Sequence, residues 1–246
     1  MWGLGAVTLA LGLAAFFLGG LVKGTLGIGL PMVAVPLLSL GMPATRAILL
    51  LMMPVLVSNV WQLRDSGVSK PGVLRFWPLI ATLFCFTLIT VPMTLAMPEA
   101  TLRRVLAAVL LLAVALTALP LRLQVPPARE KLWSAGVGAL SGVMGGVSSL
   151  TGPILISYLM SMRLPREVFV GTISVIYLAG ALPIYASMAA QGRFAWADVA
   201  LSTLALLPMA AGLILGQQIR GHLSETWFRR ALLAFLVVVA LALILR

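Results

Sequence analysis

Two short segments of this sequence combine glycines with hydroxyl side chains inside otherwise apolar stretches. Residues 19–31 read Gly-Gly-Leu-Val-Lys-Gly-Thr-Leu-Gly-Ile-Gly-Leu-Pro, and residues 142–153 read Gly-Val-Met-Gly-Gly-Val-Ser-Ser-Leu-Thr-Gly-Pro. A helix that stops and restarts in such a segment presents free backbone N–H groups and the positive end of its dipole. Because glycine lets an anion approach the backbone closely, the two segments predict a binding site for a small anion.

The candidate substrate-binding residues lie in these two breaks and on nearby helices. Lys23 supplies one positive charge to the first break, Asn59 supplies an amide, and Tyr177 supplies a phenol. The predicted set is Lys23, Thr25, Gly27, Gly29, Asn59, Ser148, Ser149, Thr151, Gly152 and Tyr177. No catalytic residue, metal ligand or cofactor is predicted.

Each of these assignments has a structural alternative. Small residues four positions apart are typical of helix-packing faces; in this sequence they are Gly20, Gly24, Gly142 and Gly146. Lys23 is long enough to reach towards a membrane interface. Asn59 fits an interfacial position near the end of its apolar run, and Tyr177 fits a packed core equally well.

The composition excludes a soluble domain. Apolar residues make up 61% of the 246 residues and charged residues 9%, whereas soluble domains are about one quarter charged. The 17 basic residues outnumber the 6 acidic ones, but they stand singly or in pairs between apolar runs, as topology signals do. The chain is therefore predicted to be a polytopic all-α membrane protein that does not bind nucleic acid.

Six apolar runs have about the length of single membrane-spanning helices. They cover residues 46–63, 76–96, 105–121, 168–189, 199–219 and 231–245. Two further segments, 3–40 and 132–162, are longer and contain the two glycine-rich breaks. Because the first of these lacks a basic leading region and an obvious cleavage site, we expect it to belong to the mature protein.

The two interrupted segments begin an internal repeat. A shift of 126 residues places the Glu-x-x-x-Arg-Arg group at Glu99 on the one at Glu225. A shift of 122 residues pairs Gly20 with Gly142, Gly24 with Gly146, Pro31 with Pro153, Ser39 with Ser161, and Pro43 with Pro165. We therefore predict two homologous halves, residues 1–125 and 126–246, each with an interrupted segment and three plain helices.

The distribution of basic residues favours one topology. If each interrupted segment crosses once, the halves are parallel and the two sides carry eight basic residues each. If each segment re-enters on the same side, the halves are inverted and the basic residues other than Lys23 divide eleven to five; the smaller group is Arg46, Arg103, Arg104, Arg193 and Arg246. The positive-inside rule favours re-entrant segments in inverted repeats, with both termini outside. The limbs of segment 132–162, about 15 residues each, would then reach only mid-depth.

The remaining chemistry argues against a cation carrier and an enzyme. The acidic residues are Asp65, Glu99, Glu130, Glu167, Asp198 and Glu225, and all fall in loops or at helix ends. A carboxylate in the middle of a span would mark a cation or proton pathway. A serine nucleophile would need a facing histidine, but the one histidine, His222, lies in a predicted loop.

The glycine-rich stretches, each followed by a proline and a Gly/Arg-x-Pro turn, resemble the TauE/SafE family of sulfite and sulfonate exporters. The two turns are Gly41-Met-Pro43 and Arg163-Leu-Pro165. The segment Gly171-Thr-Ile-Ser is similar to the family's Gly-Thr segment, and the resemblance covers nearly the whole chain. It departs from the family pattern at Lys23, where a small or apolar residue is commoner, and at Ser148-Ser-Leu-Thr, where glycines are commoner. The resemblance implies a bacterial inner-membrane permease for small organosulfur compounds or sulfur oxyanions.

Together these observations predict a secondary transporter that exports a small oxyanion such as sulfite, a sulfonate or a sulfocarboxylate. Alternating access at a site formed by the two breaks is the expected mechanism. A passive anion channel, or a permease for a different small substrate, is the alternative. The expected partners are the anionic substrate and the lipid bilayer of the bacterial inner membrane; a homodimer is left open, since no oligomerisation feature stands out.

Overall fold

The computed structural model describes residues 6–118, 125–220, 222 and 224–245. Within these ranges all the regular secondary structure is helical, as the composition predicts. A short 3-10 helix covers Pro127–Arg129. The α-helices are α1 (Ala6–Leu26), α2 (Leu30–Ser39), α3 (Ala44–Leu50), α4 (Met52–Ser66), α5 (Lys70–Leu74), α6 (Trp77–Leu95), α7 (Glu99–Ala118), α8 (Glu130–Ser148), α9 (Gly152–Ser161), α10 (Arg166–Ala190), α11 (Trp196–Leu204), α12 (Leu206–Ile219) and α13 (Glu225–Ile244).

The chain is a multi-pass membrane protein. In the described ranges seven helical stretches are long and apolar enough to cross a bilayer: Thr8–Leu26, Ala44–Ser66, Trp77–Leu95, Glu99–Ala118, Glu167–Ala190, Trp196–Ile219 and Thr226–Ile244. Six of them correspond to the six predicted plain helices, and the seventh is most of α1. The short helices α2 and α9 have 10 residues each, about 15 Å at 1.5 Å per residue.

Two of the spans consist of two helices, which the apolar pattern did not predict. Leu51 separates α3 from α4, and Ala205 separates α11 from α12. In both places a proline follows three residues later, Pro54 and Pro208. Proline has no N–H and its ring collides with the carbonyl four residues before it, so a regular helix cannot continue undisturbed through either position.

Two predicted helix starts and one pair of predicted limb lengths were wrong. Helices α7 and α13 begin at Glu99 and Glu225, six residues before the predicted starts. Their first turns contain charged residues, so a prediction based on apolar runs does not include them. The limbs of segment 132–162 are unequal: α8 has 19 residues, about 28 Å of helix, and α9 has 10. That these segments re-enter the membrane, rather than cross it, stays a prediction.

The described residues form two compact units, each assembled from segments that are separated in the sequence. The first unit contains the residues up to Pro54, Met97–Val114 and those from Phe194 onward. The second contains Val55–Ala96 and the described part of Ala115–Arg193. Each unit therefore holds one of the two breaks together with helices from the other half of the chain.

In the first unit, α1 packs along α12 through glycines on both helices. A Cβ on Gly20 or Gly24 would overlap the backbone carbonyl of Met209 or Leu213. Gly212 of α12 approaches the backbone of α1 equally closely. The absent side chains let the two helix backbones pack in direct contact, as small residues do between membrane helices.

In the second unit, α8 packs along α6 in the same manner. A Cβ on Gly142 would lie 2.6 Å from the Leu83 carbonyl oxygen, and one on Gly146 would lie 2.7 Å from Cβ of Thr90. The Thr87 hydroxyl donates a hydrogen bond to the Gly142 carbonyl across this interface (3.2 Å). The packing alternative is therefore correct for Gly20, Gly24, Gly142 and Gly146.

Candidate functional site

The first break, residues 19–31, interrupts the helix at the three residues between α1 and α2. Gly27 and Gly29 have φ angles of 81° and 100°, in the left-handed region that residues with a Cβ rarely adopt. The Gly27 amide donates to the Lys23 carbonyl (2.8 Å) and completes the last turn of α1. Pro31 is the second residue of α2, where its missing N–H costs no helical bond. The N-terminus of α2 thus begins directly after two conformationally required glycines.

The polar side chains of the first break are buried. Lys23 lies in the last turn of α1 and is only 3% exposed, so it is enclosed by protein and does not extend to an interface. The Thr25 hydroxyl donates its proton to main-chain carbonyls of its own helix, at 2.7 Å from Leu21 and 3.1 Å from Val22. The first break therefore contains a buried amine, and its threonine hydroxyl is already bonded within the helix.

The second break has the same layout with different residues. Helix α8 ends at Ser148, and α9 begins at Gly152 with a proline again in its second position. Ser149 has a φ of 58°, a left-handed conformation that is uncommon outside glycine. Its amide donates to the Gly145 carbonyl (2.7 Å) and so ends α8. A non-glycine residue held in this region is a form of strain that recurs at binding sites.

The two serines of this break differ in what their hydroxyls do. The Ser148 hydroxyl donates to the Met144 carbonyl (2.7 Å) and accepts the Leu150 amide (3.2 Å), so it stabilises the turn itself. The Ser149 hydroxyl is buried and has no hydrogen-bond partner among the described residues. A buried unpaired hydroxyl is costly, and native structures seldom contain one without a reason. Ser149, rather than Ser148, is the hydroxyl available to a ligand.

Tyr177 of α10 meets the N-terminus of α9. A Cβ on Gly152 would lie 2.8 Å from the phenolic oxygen, so the glycine makes room for it. Thr151 is held from two sides, because a Cβ on Gly145 would overlap its methyl group and one on Gly180 would lie 3.8 Å from it. The backbone N–H groups at the start of α9, which lack partners inside the helix, therefore lie beside a tyrosine hydroxyl.

Asn59 is on α4 and is buried in the protein, with 2% of its surface exposed. Its side-chain amide donates to the Val55 carbonyl one turn earlier (2.8 Å). Asn59 is thus enclosed by the protein, whereas its neighbour Trp61 is exposed; its depth in the membrane stays a prediction.

The structure brings together part of the predicted set. Gly152 and Tyr177 are in contact, with Ser149 and Thr151 in the same loop, all in the second unit. Lys23, Thr25, Gly27 and Gly29 form the first break in the other unit. The prediction that the two breaks form one site stays a prediction.

Two supporting glycines were missed by the sequence analysis. Gly145 and Gly180 leave the space that Thr151 occupies, and neither was included in the predicted set. The spacing of Tyr177 and Gly180 was an available signal, since residues three apart lie on the same face of a helix. Thr172, fully buried with an unpartnered hydroxyl, was also missed as a candidate, although it belongs to the quoted Gly171-Thr segment.

An ion pair ties the N-terminus of α8 to the segment before α6. The Arg75 guanidinium donates two hydrogen bonds to the Glu130 carboxylate, at 2.5 and 2.6 Å. The hydrogen bonds from Arg75 lower the pKa of Glu130, partly opposed by desolvation. Because the side chains are 49% and 19% exposed, solvent screens the pair and its contribution to stability is small.

This ion pair predicts a modest pH dependence of stability. Glu130 has a lowered pKa in the folded state, so its contribution is complete above the ordinary glutamate pKa of about 4.3 and is lost as the pH falls further. Glu130→Gln should cost less than about 1 kcal/mol and should flatten this acid limb. Thermal unfolding in detergent from about pH 7 to about pH 3 measures both effects. Glu167→Gln, at an exposed position of α10, is the control, and an equal change in both variants would contradict the prediction.

No other described feature competes with the breaks as a polar site. A groove of about 570 Å³ lies along α4 and is lined by Leu56, Val57, Val60, Trp61, Arg64 and Asp65, none of them a predicted site residue. Within the described ranges, no three His, Cys, Asp or Glu side chains are grouped so as to hold a metal ion. Every acidic residue lies within the first or last turn of a helix, as predicted.

Comparison with known protein families gives a match over nearly the whole chain. The model of one protein family, described as sulfite exporter TauE/SafE, matches residues 11–243. No curated protein and no solved structure matches the chain.

Proposed function

Because the chain belongs to the sulfite exporter TauE/SafE family, whose members are membrane transporters, we propose that it is a secondary transporter that exports a small oxyanion. The substrate class is sulfite, a sulfonate or a sulfocarboxylate, and the membrane is the bacterial inner membrane. The binding elements are the helix N-termini at the two breaks, with Lys23, Ser149 and Tyr177 as side-chain donors. A homodimer and a monomer are both compatible with this proposal.

The observation that carries the proposal is Ser149. It combines a left-handed backbone with a buried hydroxyl that no described residue satisfies, directly before the N-terminus of α9. An oxyanion there would accept hydrogen bonds from this hydroxyl, from the Tyr177 phenol and from free N–H groups of the helix. A cation would gain nothing from the helix N–H groups, which can only donate.

The first break supports the same class of substrate. Lys23 puts a buried amine in the turn before Gly27, and α2 begins after Gly29 with its free N–H groups. The carboxylates of the chain lie at helix ends, so an anion in a span would meet no acidic group in mid-membrane. Both breaks thus offer donors to an anion and neither contains a carboxylate.

We further propose that the two halves of the chain are duplicated and inverted. In support, the helix ends around the two breaks are 122 residues apart in each case: Leu26 and Ser148, Leu30 and Gly152, Ser39 and Ser161. The glycine contacts repeat as well, since Gly20 meets Met209 in one unit as Gly142 meets Leu83 in the other. Inverted halves are a common basis for alternating access.

Binding to purified protein tests the substrate class. Thermal unfolding would be followed while sulfite, sulfate, thiosulfate, sulfoacetate and taurine are titrated, with matched cations and amines as controls. One or more sulfur oxyanions should raise the unfolding midpoint in a saturable manner, because a ligand of the folded state stabilises it. Stabilisation by cations alone, or by no anion, would refute the oxyanion proposal.

Two conservative substitutions test the second break. Ser149→Ala and Tyr177→Phe should each weaken anion binding about tenfold or more, since a hydrogen bond to a charged group contributes about 1.5–3 kcal/mol. Ser149→Ala should not lower the unfolding midpoint without ligand, because it removes no hydrogen bond to a described residue. The matched control is Ser157→Ala on α9, whose hydroxyl bonds the Pro153 carbonyl (3.0 Å). Wild-type affinity in both test variants would exclude the second break as the site.

Flux measurements separate a carrier from a channel. In proteoliposomes, a secondary transporter should show saturable flux that is accelerated by unlabelled substrate on the opposite side. A passive anion channel, the alternative function, would show neither saturation at low concentration nor this acceleration.

A further inference from the structure

The span Ala44–Ser66 is interrupted at Leu51, where one side chain from another helix bonds its main chain. Helix α3 ends at Leu50, and α4 begins at Met52. In a continuous helix the Leu50 carbonyl would accept the N–H of residue 54, but that residue is Pro54. The proline therefore leaves the Leu50 carbonyl without its helical partner.

Ser202 of α11 supplies the missing hydrogen bonds. Its hydroxyl donates to the Leu50 carbonyl (2.8 Å) and accepts the Met53 amide (2.9 Å). The side chain is fully buried, so both bonds are shielded from water. Neighbouring serine side chains of this kind are what make proline tolerable in membrane helices.

The second proline joint of the protein is held differently. Between α11 and α12, before Pro208, the main chain makes its own bonds: the Ala205 amide donates to Leu201 (2.9 Å) and the Met209 amide donates to Ala205 (3.3 Å). The described hydrogen bonds at this second joint come from the main chain, whereas two of those at the Leu51–Pro54 joint come from a side chain of another helix.

The Leu51–Pro54 joint lies between an anchored helix and the boundary of the two compact units. Helix α3 is anchored within the first unit, because its Ala44 amide donates to the Glu99 carboxylate (3.0 Å) and Arg46 pairs with Asp198 (3.2 Å). The chain passes from the first compact unit to the second between Pro54 and Val55. The joint thus directly follows an anchored helix at the point where one compact unit ends.

We propose that Leu51–Pro54 is a joint that bends during the transport cycle and that Ser202 is the positioning residue that latches it. The latch holds the Leu50 carbonyl and the Met53 amide in the present conformation. Breaking it frees both groups at once, and the proline prevents the main chain from replacing the Leu50 bond. This inference concerns the conformational change and does not depend on which substrate is bound.

Hydrogen exchange tests the latch directly. In Ser202→Ala, amide exchange in a peptide covering residues 50–56 should be about tenfold faster or more, because the Met53 amide has lost its acceptor. Thr203→Ala is the matched control, since that hydroxyl bonds only the Val199 carbonyl of its own helix (2.8 Å). Unchanged exchange in Ser202→Ala would overturn the proposal.

A double-mutant cycle keeps the test decisive if Ser202→Ala folds poorly. Pro54→Ala restores an N–H that can donate to the Leu50 carbonyl. Ser202→Ala should therefore lower the stability of the protein less in the Pro54→Ala background than in the wild type. An equal loss of stability in both backgrounds, including equal failure to fold, would contradict the latch.

Transport of sulfite is a second readout of the latch. In proteoliposomes Ser202→Ala should reduce the maximal rate of sulfite flux about tenfold, while the sulfite concentration that gives half-maximal binding changes less than about twofold. An equal loss of binding and flux would contradict the positioning role. Absence of sulfite flux in the wild type would exclude sulfite as the substrate, and the exchange result would then decide for or against the latch.

Discussion

Gly24→Val is expected to prevent stable folding. The added Cβ would overlap the Leu213 carbonyl oxygen and approach Cα of Gly216, and both are backbone atoms of α12. Overpacking a core costs about 1–3 kcal/mol when side chains can move aside, and here a whole helix must move, so we expect about 3 kcal/mol or more. The measurement is the yield of monodisperse protein in detergent, followed by its thermal unfolding midpoint.

Gly12→Val provides a matched control on the same helix. A Cβ on Gly12 has nothing within 4 Å, so this variant carries the same valine without the overlap. The pair Gly142→Val and Gly136→Val repeats the comparison on α8, because Gly142 meets α6 and Gly136 meets nothing within 4 Å. A Gly24→Val protein as stable as Gly12→Val would show that the α1–α12 contact is not close.

Lys23→Gln is expected to give the largest loss of anion binding among the site variants. Lys23 is the one lysine or arginine within either break, and it is buried. Replacing a charged donor by a neutral one removes a charge-assisted hydrogen bond, so affinity for a sulfur oxyanion should fall about 10- to 100-fold. The affinity is measured by recording the thermal unfolding midpoint while the anion is titrated. Flux of the anion into proteoliposomes measures the consequence for transport.

The control for this variant is Lys131→Gln. Lys131 is exposed near the start of α8, so its substitution makes the same change of charge away from the breaks. Anion affinity should remain within about twofold of wild type in this control. If Lys23→Gln lowers the ligand-free unfolding midpoint and leaves affinity unchanged, Lys23 stabilises the first break and does not bind substrate.

The breaks themselves were predictable because their causes are local. Glycine at positions 27 and 29 permits positive φ angles, and a proline two residues into the next helix favours a restart. These are properties of neighbouring residues, so they can be predicted from the sequence without knowledge of the fold. The membrane-spanning helices were predictable for a similar reason, since the length of an apolar run is set by the thickness of the bilayer.

The roles of individual polar side chains were not predictable. Ser148 and Ser149 are identical and adjacent, yet one bonds the turn and the other has no partner. Which serine faces the backbone depends on the φ angle of one residue and on the helices around it. Ser202 likewise looks like an ordinary serine in an apolar run until Leu50 and Met53 are found beside it.

The amino-acid sequence by itself determined that this is a multi-pass helical membrane protein, that two of its segments are interrupted, and that it resembles an anion-exporter family. These properties follow from composition, from run lengths and from local backbone preferences, which short stretches of chain carry alone. Only the tertiary structure decided that α1 packs on α12 and α6 on α8, and that Tyr177 lies beside Gly152. Those contacts join residues far apart in the chain, and glycine, serine and tyrosine each fit several neighbours equally well. Their partners are therefore chosen by the packing of whole helices.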